Sequence, residues 1–235
     1  MLESKELTKK FGAKTAVDGV SLKLSKGHVY AMLGPNGSGK TTWMKMAAGL
    51  IKPTSGTVFF DGEPVNVQSH ARVAYMSTEP YFYQWMTVKE AGRYYADFFK
   101  DFSYDKYLQL LKNTGVEEKA KVRALSTGMM AQLKVALNIA RDADVYMLDE
   151  PFNGIDLLAR DRIKKVILTA AGPDKLLLLS SHLVEEMEQI ADTAVFIKQG
   201  HLIEVDDLEE MREEKGISMA DRYREIYGEG ENENA

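Results

Sequence analysis

The 235-residue chain has no cysteine, only four histidines and only six prolines. Without cysteine there is neither a disulfide framework nor a thiolate metal site, a composition that suits a reducing compartment. His28, His70, His182 and His201 are scattered without metal-ligand spacing, so no structural zinc is expected. No apolar run is long enough to span a bilayer, and residues 1–5 lack the apolar core of a secretory signal. The chain is therefore expected to be soluble by itself, with any membrane role supplied by a partner. Positive charge is also in deficit: 30 Lys and Arg against 35 Asp and Glu leave a net charge of -5. That balance argues against a large phosphate-backbone footprint, so no nucleic-acid partner is expected. Lys5, Lys9, Lys10 and Lys14 read as a solvated face. The rest is ordinary for a soluble protein, 45% hydrophobic and 28% charged, and long enough for a well-buried core.

What is present is organised around Gly34-Pro35-Asn36-Gly37-Ser38-Gly39-Lys40-Thr41-Thr42. A short apolar run, Val29-Tyr30-Ala31-Met32-Leu33, precedes it, and residues 41–48 read as a helix that stops at Gly49. Strand, glycine-rich loop and helix in that order carry the G-x-x-x-x-G-K-[ST] spacing of a P-loop. The glycines let the backbone curl so that successive amides face phosphate oxygens, and the helix N-terminus adds its positive dipole end. Lys40 is placed to reach the β- and γ-phosphates, and the Thr41 hydroxyl to ligate Mg²⁺.

Other segments fit around that loop. Residues 2–7, 21–24 and 57–60 are β-prone and predict a small antiparallel layer. Phe11 falls in the loop after the first of them and is either a core anchor or a platform for a purine ring. Residues 78–125 read as a helical insertion. It holds an aromatic loop (residues 81–85), a helix over 88–99 with Ala91, Tyr94, Tyr95 and Phe98 at helical spacing, and a second helix over 105–113 closed by Gly115. The aromatic stripe is read as core, and the loop aromatics as an exposed docking surface. Ser126 is an N-cap for a helix bearing Leu133, Ala136, Leu137 and Ala140. Capping alone competes with a second reading, in which Ser126 and the Gly128 amide bind phosphate. The apolar run 145–148 ends in Asp149-Glu150, two carboxylates at the C-terminal end of a buried strand, where open α/β sheets place ligands. Asp149 suits Mg²⁺, and Glu150 suits a base that orients the attacking water. A strand over 176–179 leads to His182, placed to meet the γ-phosphate. After it, Leu183, Met187, Ile190 and Ala191 predict an amphipathic helix. A hairpin over 193–205, a short acidic helix and a capped helix begun by Ser218 and Asp221 complete the chain. Residues 229–235 read as an acidic, disordered tail.

Taken together, these motifs resemble the ATP-binding subunit of ATP-binding-cassette (ABC) transporters over residues 2–205, and most the ABC-2-type exporter group. Walker A is 34–42, Walker B is 145–149 followed by Glu150, and the signature loop is Leu125-Ser126-Thr127-Gly128-Met129. The D-loop is Asn153-Gly154-Ile155-Asp156, and the switch histidine is His182. The resemblance implies an α/β P-loop NTPase fold with a mainly parallel central sheet, a small antiparallel β layer and the helical insertion at about 78–125. It implies an ATPase domain over 1–205 and a helical extension over 206–228. It also implies ATP and Mg²⁺ as cofactors, adenine stacking on Phe11, and nucleotide contacts from Gly34, Asn36, Gly37, Ser38, Gly39, Lys40, Thr41 and Thr42. Ser126, Gly128 and Asp156 would complete the nucleotide site, with Ser126 and Gly128 reaching the γ-phosphate held by the opposite subunit. The partners implied are a second copy of the chain, or a homologous ATPase subunit, and an integral membrane permease that holds it at the inner face of the cell membrane. Two positions depart from the family pattern. Thr127 replaces a glycine of the signature, and Thr78 replaces the Q-loop glutamine, whose amide oxygen normally meets Mg²⁺. Slower hydrolysis, or an ATP-binding switch with weak hydrolysis, follows from Thr78 as an alternative. A soluble ABC ATPase acting on ribosome or DNA is the other.

Overall fold

In the computed structural model, residues 1–79, 82–214 and 216–228 are described. Two sheets form the frame. Strands β1 (Leu2–Phe11), β2 (Lys14–Leu24), β4 (Ser55–Phe60) and β5 (Glu63–Pro64) make an antiparallel sheet in the order β2-β1-β4-β5. The second sheet contains β3 (Val29–Leu33), β6 (Val73–Met76), β7 (Val145–Asp149), β8 (Leu176–Ser181), β9 (Thr193–Lys198) and β10 (His201–Asp207). Its order is β10-β9-β3-β8-β7-β6, parallel throughout except for β10 at the edge. Every residue of β3, β7 and β8 is buried, as expected for parallel strands covered on both faces.

The register of this sheet places the site. Leu33 pairs with Ser181 and Asp149 with Ser180, so β3, β7 and β8 end at one edge. Whatever follows those strands converges there: the glycine loop, Glu150 and His182. Helix α1 (Lys40–Ala47) runs from the loop between the two sheets and buries Trp43, Met44, Met46 and Ala47 against Leu2, Leu7 and Met32. The Trp43 indole donates to Ser4 Oγ at 3.2 Å, which satisfies the ring nitrogen inside this core.

A short helix α2 (Val67–Ala71) leads into β6, and α3 (Val88–Phe98), α4 (Tyr104–Thr114) and α5 (Thr127–Ile139) follow. Local sequence explains their ends. Thr87 and Glu90 form a capping box, Ser103 caps α4, and Gly115 ends it at φ +75°. The aromatic stripe splits. Ala91 and Tyr95 face the core, whereas Phe98 is exposed, because Tyr94 and Phe98 lie one helical step round from Tyr95. Gly92 lets the Tyr107 ring lie against α3, and the Tyr107 hydroxyl donates to Val88 O at 2.7 Å.

Helix α6 (Leu157–Leu168) follows β7. The amphipathic helix expected after His182 is much shorter, α7 (Val184–Met187). The chain must re-enter the sheet at once: the Asp192 carboxylate accepts from Val29 N at 2.8 Å, and its amide donates back to Val29 O at 3.0 Å. That pairing starts β9 and leaves no length for further turns. Phe11 belongs to β1 rather than to a loop, since β1 and β2 run on to a tight turn at Gly12. The hairpin β9–β10 joins the central sheet, and β6 extends its other edge; neither placement is visible in local patterning. Helix α8 (Leu208–Glu213) precedes α9 (Met219–Tyr227), which carries the expected Ser218–Asp221 capping box. The Tyr227 hydroxyl sits 3.1 Å from Leu33 O and 3.0 Å from Ile197 O, so α9 is bonded to the base of the glycine loop. The tail at 229–235 and Tyr81 of the aromatic loop lie outside the described residues. Among the described residues no helix is long and apolar enough to cross a membrane.

Candidate active site

The glycine loop needs its glycines for two separable reasons. Gly34 has φ +155°, and a Cβ there would sit 2.3 Å from Ile197 O. Gly39 has φ +111°, and its Cβ would sit 2.6 Å from Ala16 O. Both positions combine a backbone conformation that L-residues avoid with close backbone neighbours. The loop surrounds a cavity of about 510 Å³ whose wall includes Asn36, Gly37, Ser38, Lys40, Thr41 and Thr42. Phe11 stands at its side with 53% exposure. A half-exposed ring is not a core anchor, and its position beside the cavity is compatible with a stacking platform.

Lys40 folds back on its own loop. Its ammonium donates to Gly34 O at 2.6 Å and Pro35 O at 3.2 Å, and lies 3.7 Å from Glu150 Oε1. Burial pushes this amine below the ordinary lysine value, while Glu150 and Asp149 work in the opposite direction. Ser38 Oγ is buried in the same loop without a hydrogen-bond partner. An orphaned hydroxyl beside a desolvated cation, at a helix N-terminus, fits a phosphate group that would satisfy both.

Oxygen donors collect at the other end. Asp149 is fully buried. Its Oδ1 accepts from Thr41 Oγ1 at 3.0 Å and from Ser180 Oγ at 2.6 Å, and its Oδ2 accepts from the Tyr75 hydroxyl at 3.1 Å. A hydroxyl and a carboxylate in contact form the hard oxygen set that Mg²⁺ takes beside phosphates. Glu150 follows at φ +49°, a left-handed backbone in a residue other than glycine. Its amide donates to Ser180 Oγ at 2.9 Å, which holds that conformation. Its Oε2 is 3.0 Å from His182 Nδ1. The strained backbone turns the carboxylate toward the phosphate end of the cavity instead of into solvent.

The remaining expected residues lie apart from this cluster. Ser126 caps α5, accepting from Met129 N at 3.2 Å, so the capping role is present in the isolated chain. Ser126 and Thr127 line a second cavity of about 420 Å³, which shares Thr78, Glu150 and Asn153 with the first. Gly128 lies against Ile155, Asp156 and Ala159, and Asp156 caps α6 by accepting from Ala159 N at 3.0 Å. Neither Gly128 nor Asp156 lines the glycine-loop cavity. Thr78 is exposed between the two cavities. Its carbonyl accepts from Lys134 Nζ at 2.9 Å.

Three residues of the site were not read from the sequence: Tyr75, Ser180 and Lys134. Ser180 and Tyr75 are found only through strand register, which no local pattern reveals. Lys134 did leave a signal, a cation between Leu133 and Val135 on a helix with no other charged residue.

Comparison with known proteins agrees with this geometry. The family model described as ABC transporter matches residues 17–153. An uncharacterized ABC transporter ATP-binding protein of Bacillus subtilis, YcbN, is 34% identical over 218 residues, covering 90% of this chain and 71% of that protein. The lantibiotic transport ATP-binding protein SrtF of Streptococcus pyogenes is 30% identical over 205 residues, covering 86% of this chain and 89% of its own length. Among solved structures, a dimeric ATP-binding cassette in a post-hydrolysis state with ADP and Pi superimposes with a TM-score of 0.78 at 20% identity. That match covers 88% of this chain and 99% of the other. The matched family model and these relatives show that the chain belongs to the ABC transporter ATP-binding family.

Proposed function

We propose that the chain is an ATP-hydrolysing subunit that dimerises around two ATP molecules and powers export through a separate transmembrane subunit. The observation that carries this reading is the Thr41–Asp149–Ser180 cluster beside the Glu150–His182 pair. Bound Mg²⁺ would neutralise phosphate charge between Thr41 and Asp149. Lys40 would exchange its two loop carbonyls for phosphate oxygens, and Ser38 would gain the partner it lacks. Glu150 accepts the proton of the attacking water at Oε1 or Oε2, and His182 holds that carboxylate in place. Phe11 offers its exposed ring to the adenine.

Dimerisation is supported by what one chain leaves open. Ser126 and Gly128 present a helix N-terminus outside the glycine-loop cavity, and Leu157 and Leu158, next to Asp156, are both exposed. In the proposed assembly this face meets the nucleotide of a second copy or of a homologous ATPase subunit. The permease surface is read from Trp85, Tyr83, Tyr94 and Phe98. These rings follow one another at centroid distances of 5.7, 6.3 and 4.6 Å, and Trp85, Tyr83 and Phe98 are exposed. Residues 1–205 then form the ATPase domain, with 78–125 as its helical part and 206–228 as an extension. The protein sits peripherally on the inner face of the cell membrane. The alternative of a switch with weak hydrolysis rests on Thr78; the Glu150–His182 pair favours turnover.

One experiment tests both halves of the proposal. Detergent-solubilised membranes should yield an integral membrane protein bound to the wild-type chain and lost with Tyr83→Ala/Trp85→Ala. The purified complex should hydrolyse Mg·ATP, with Glu150→Gln reducing turnover by about 10²-fold or more while leaving ATP bound. Turnover that survives Glu150→Gln would sink the assignment of the base, and retention of the membrane protein by the double variant would sink the docking surface.

A further inference from the structure

We infer that Lys134 is a positioning residue for ATP hydrolysis, tying the loop on the metal side of the site to the helix that carries Ser126. The inference rests on the ATPase reading above and concerns a residue outside the glycine loop and the paired carboxylates. Helix α5 holds Lys134 between Leu133 and Val135, both fully buried, and its own residue is only 6% exposed. The ammonium donates to the Thr78 carbonyl at 2.9 Å, along the wall of the cavity that also contains Asp149 and Glu150. Burial pushes the amine down to about 8, with Asp149 and Glu79 pulling the other way. A cation kept in place against that desolvation cost is poor material for a core, where a methionine of similar length would pack without it.

The geometry explains what the cation does there. Residues 77–79 cross from one half of the site to the other. Glu79 lies 3.9 Å from Lys45 on α1, the helix that begins at the glycine loop, and Thr78 is gripped by Lys134 on α5. The first link is long and its carboxylate is exposed, so it is weak. The second is a part-buried, charge-assisted hydrogen bond. The threonine side chain is short, so the position of its backbone decides what it can present to a metal-bound nucleotide. Ser126 and Lys134 stand about two turns apart on one rigid helix. Any displacement of the α5 N-terminus by a nucleotide therefore pulls on the Thr78 carbonyl, and hydrolysis becomes sensitive to where α5 sits.

Lys134→Met tests this, with Lys134→Arg as the variant that keeps a charged donor. Two readouts are needed: amide hydrogen exchange of residues 76–79 in the nucleotide-free chain, and steady-state turnover of Mg·ATP. Lys134→Met is expected to speed exchange at 76–79 about tenfold while residues 34–40 are unchanged. It should lower kcat about tenfold with KM within twofold, and leave the melting temperature level or raised. Lys134→Arg should recover most of both effects. Unchanged exchange, unchanged kcat, a joint loss of kcat, KM and melting temperature, or an arginine variant no better than methionine would each overturn the inference. If Lys134→Met does not fold, Lys134→Gln is read by the same two measurements. A wild-type chain that fails to hydrolyse ATP overturns the ATPase reading instead, and exchange at 76–79 still decides whether the tether exists.

Discussion

Glu150 and Gly39 show two opposite ways in which single residues answer a backbone demand. At Glu150 the left-handed conformation is tolerated in a residue with a side chain, at a cost on the order of 1–3 kcal/mol, because its amide is fixed to Ser180. At Gly39 no side chain is tolerated. Gly39→Ala would combine the φ of +111° with a Cβ 2.6 Å from Ala16 O. The loop must distort, and strain of about 1–3 kcal/mol translates into roughly a tenfold or greater loss of Mg·ATP affinity. Equilibrium binding of Mg·ATP checks this, and an unchanged dissociation constant would show that the loop relaxes without harm. The residues of the glycine loop were legible because their chemistry depends on fixed spacing. Ser180 and Tyr75 were not, because they meet Asp149 only through strands 31 and 74 residues away in the chain.

Among the elements, the helices read best where a cap or a stop is local. Thr87 with Glu90, Ser103, Ser126 and Ser218 with Asp221 all start helices as their residue types imply. Helix α7 was misread because its length is set by the Asp192–Val29 pairing rather than by the periodicity of Met187 and Ile190. Packing between α3 and α4 offers a test in which two effects compete. Gly92→Ala improves helix propensity by about 0.5–1 kcal/mol. The added methyl, however, would lie 2.2 Å from the Tyr107 ring, which is fully buried and bonded to Val88 O. Overpacking at about 1–3 kcal/mol outweighs the gain. Denaturant unfolding should show Gly92→Ala to be the less stable protein; a stabilised variant would mean that the ring moves freely.

For the whole molecule, pH response and assembly order both follow from how distant segments are joined. Glu186 on α7 accepts from Arg160 at 3.1 Å and Lys164 at 2.8 Å, both on α6, and Arg160 also holds Ile155 O beside Asp156. Burial alone would raise the Glu186 carboxyl, but these hydrogen bonds outweigh it and hold the group below its ordinary 4.5. The stability it contributes is fully present above that value and is lost as pH falls through the lower folded value, since the unfolded chain takes up the proton first. Melting temperature followed from pH 7 to pH 3 should drop below about 4.5 in the wild type, and less steeply in Glu186→Gln, which starts lower at pH 7. Equal slopes would remove Glu186 from the acid response. Composition and motif order disclosed the α/β class and the convergence of the site, but the six-strand order was hidden because pairing partners are remote in sequence. That remoteness also governs how the protein is made. Strand β3 takes its neighbours from β8 and β9, and Tyr227 closes onto Leu33 across 194 residues. A ribosome adding about 5–20 residues per second needs on the order of 10–40 s to cover that span. Until β8 and β9 have been made, the strand beneath the glycine loop has two open edges, a template for wrong partners. The site itself is late for the same reason: Asp149 meets Thr41 across 108 residues, so it is whole only once most of the chain has been made.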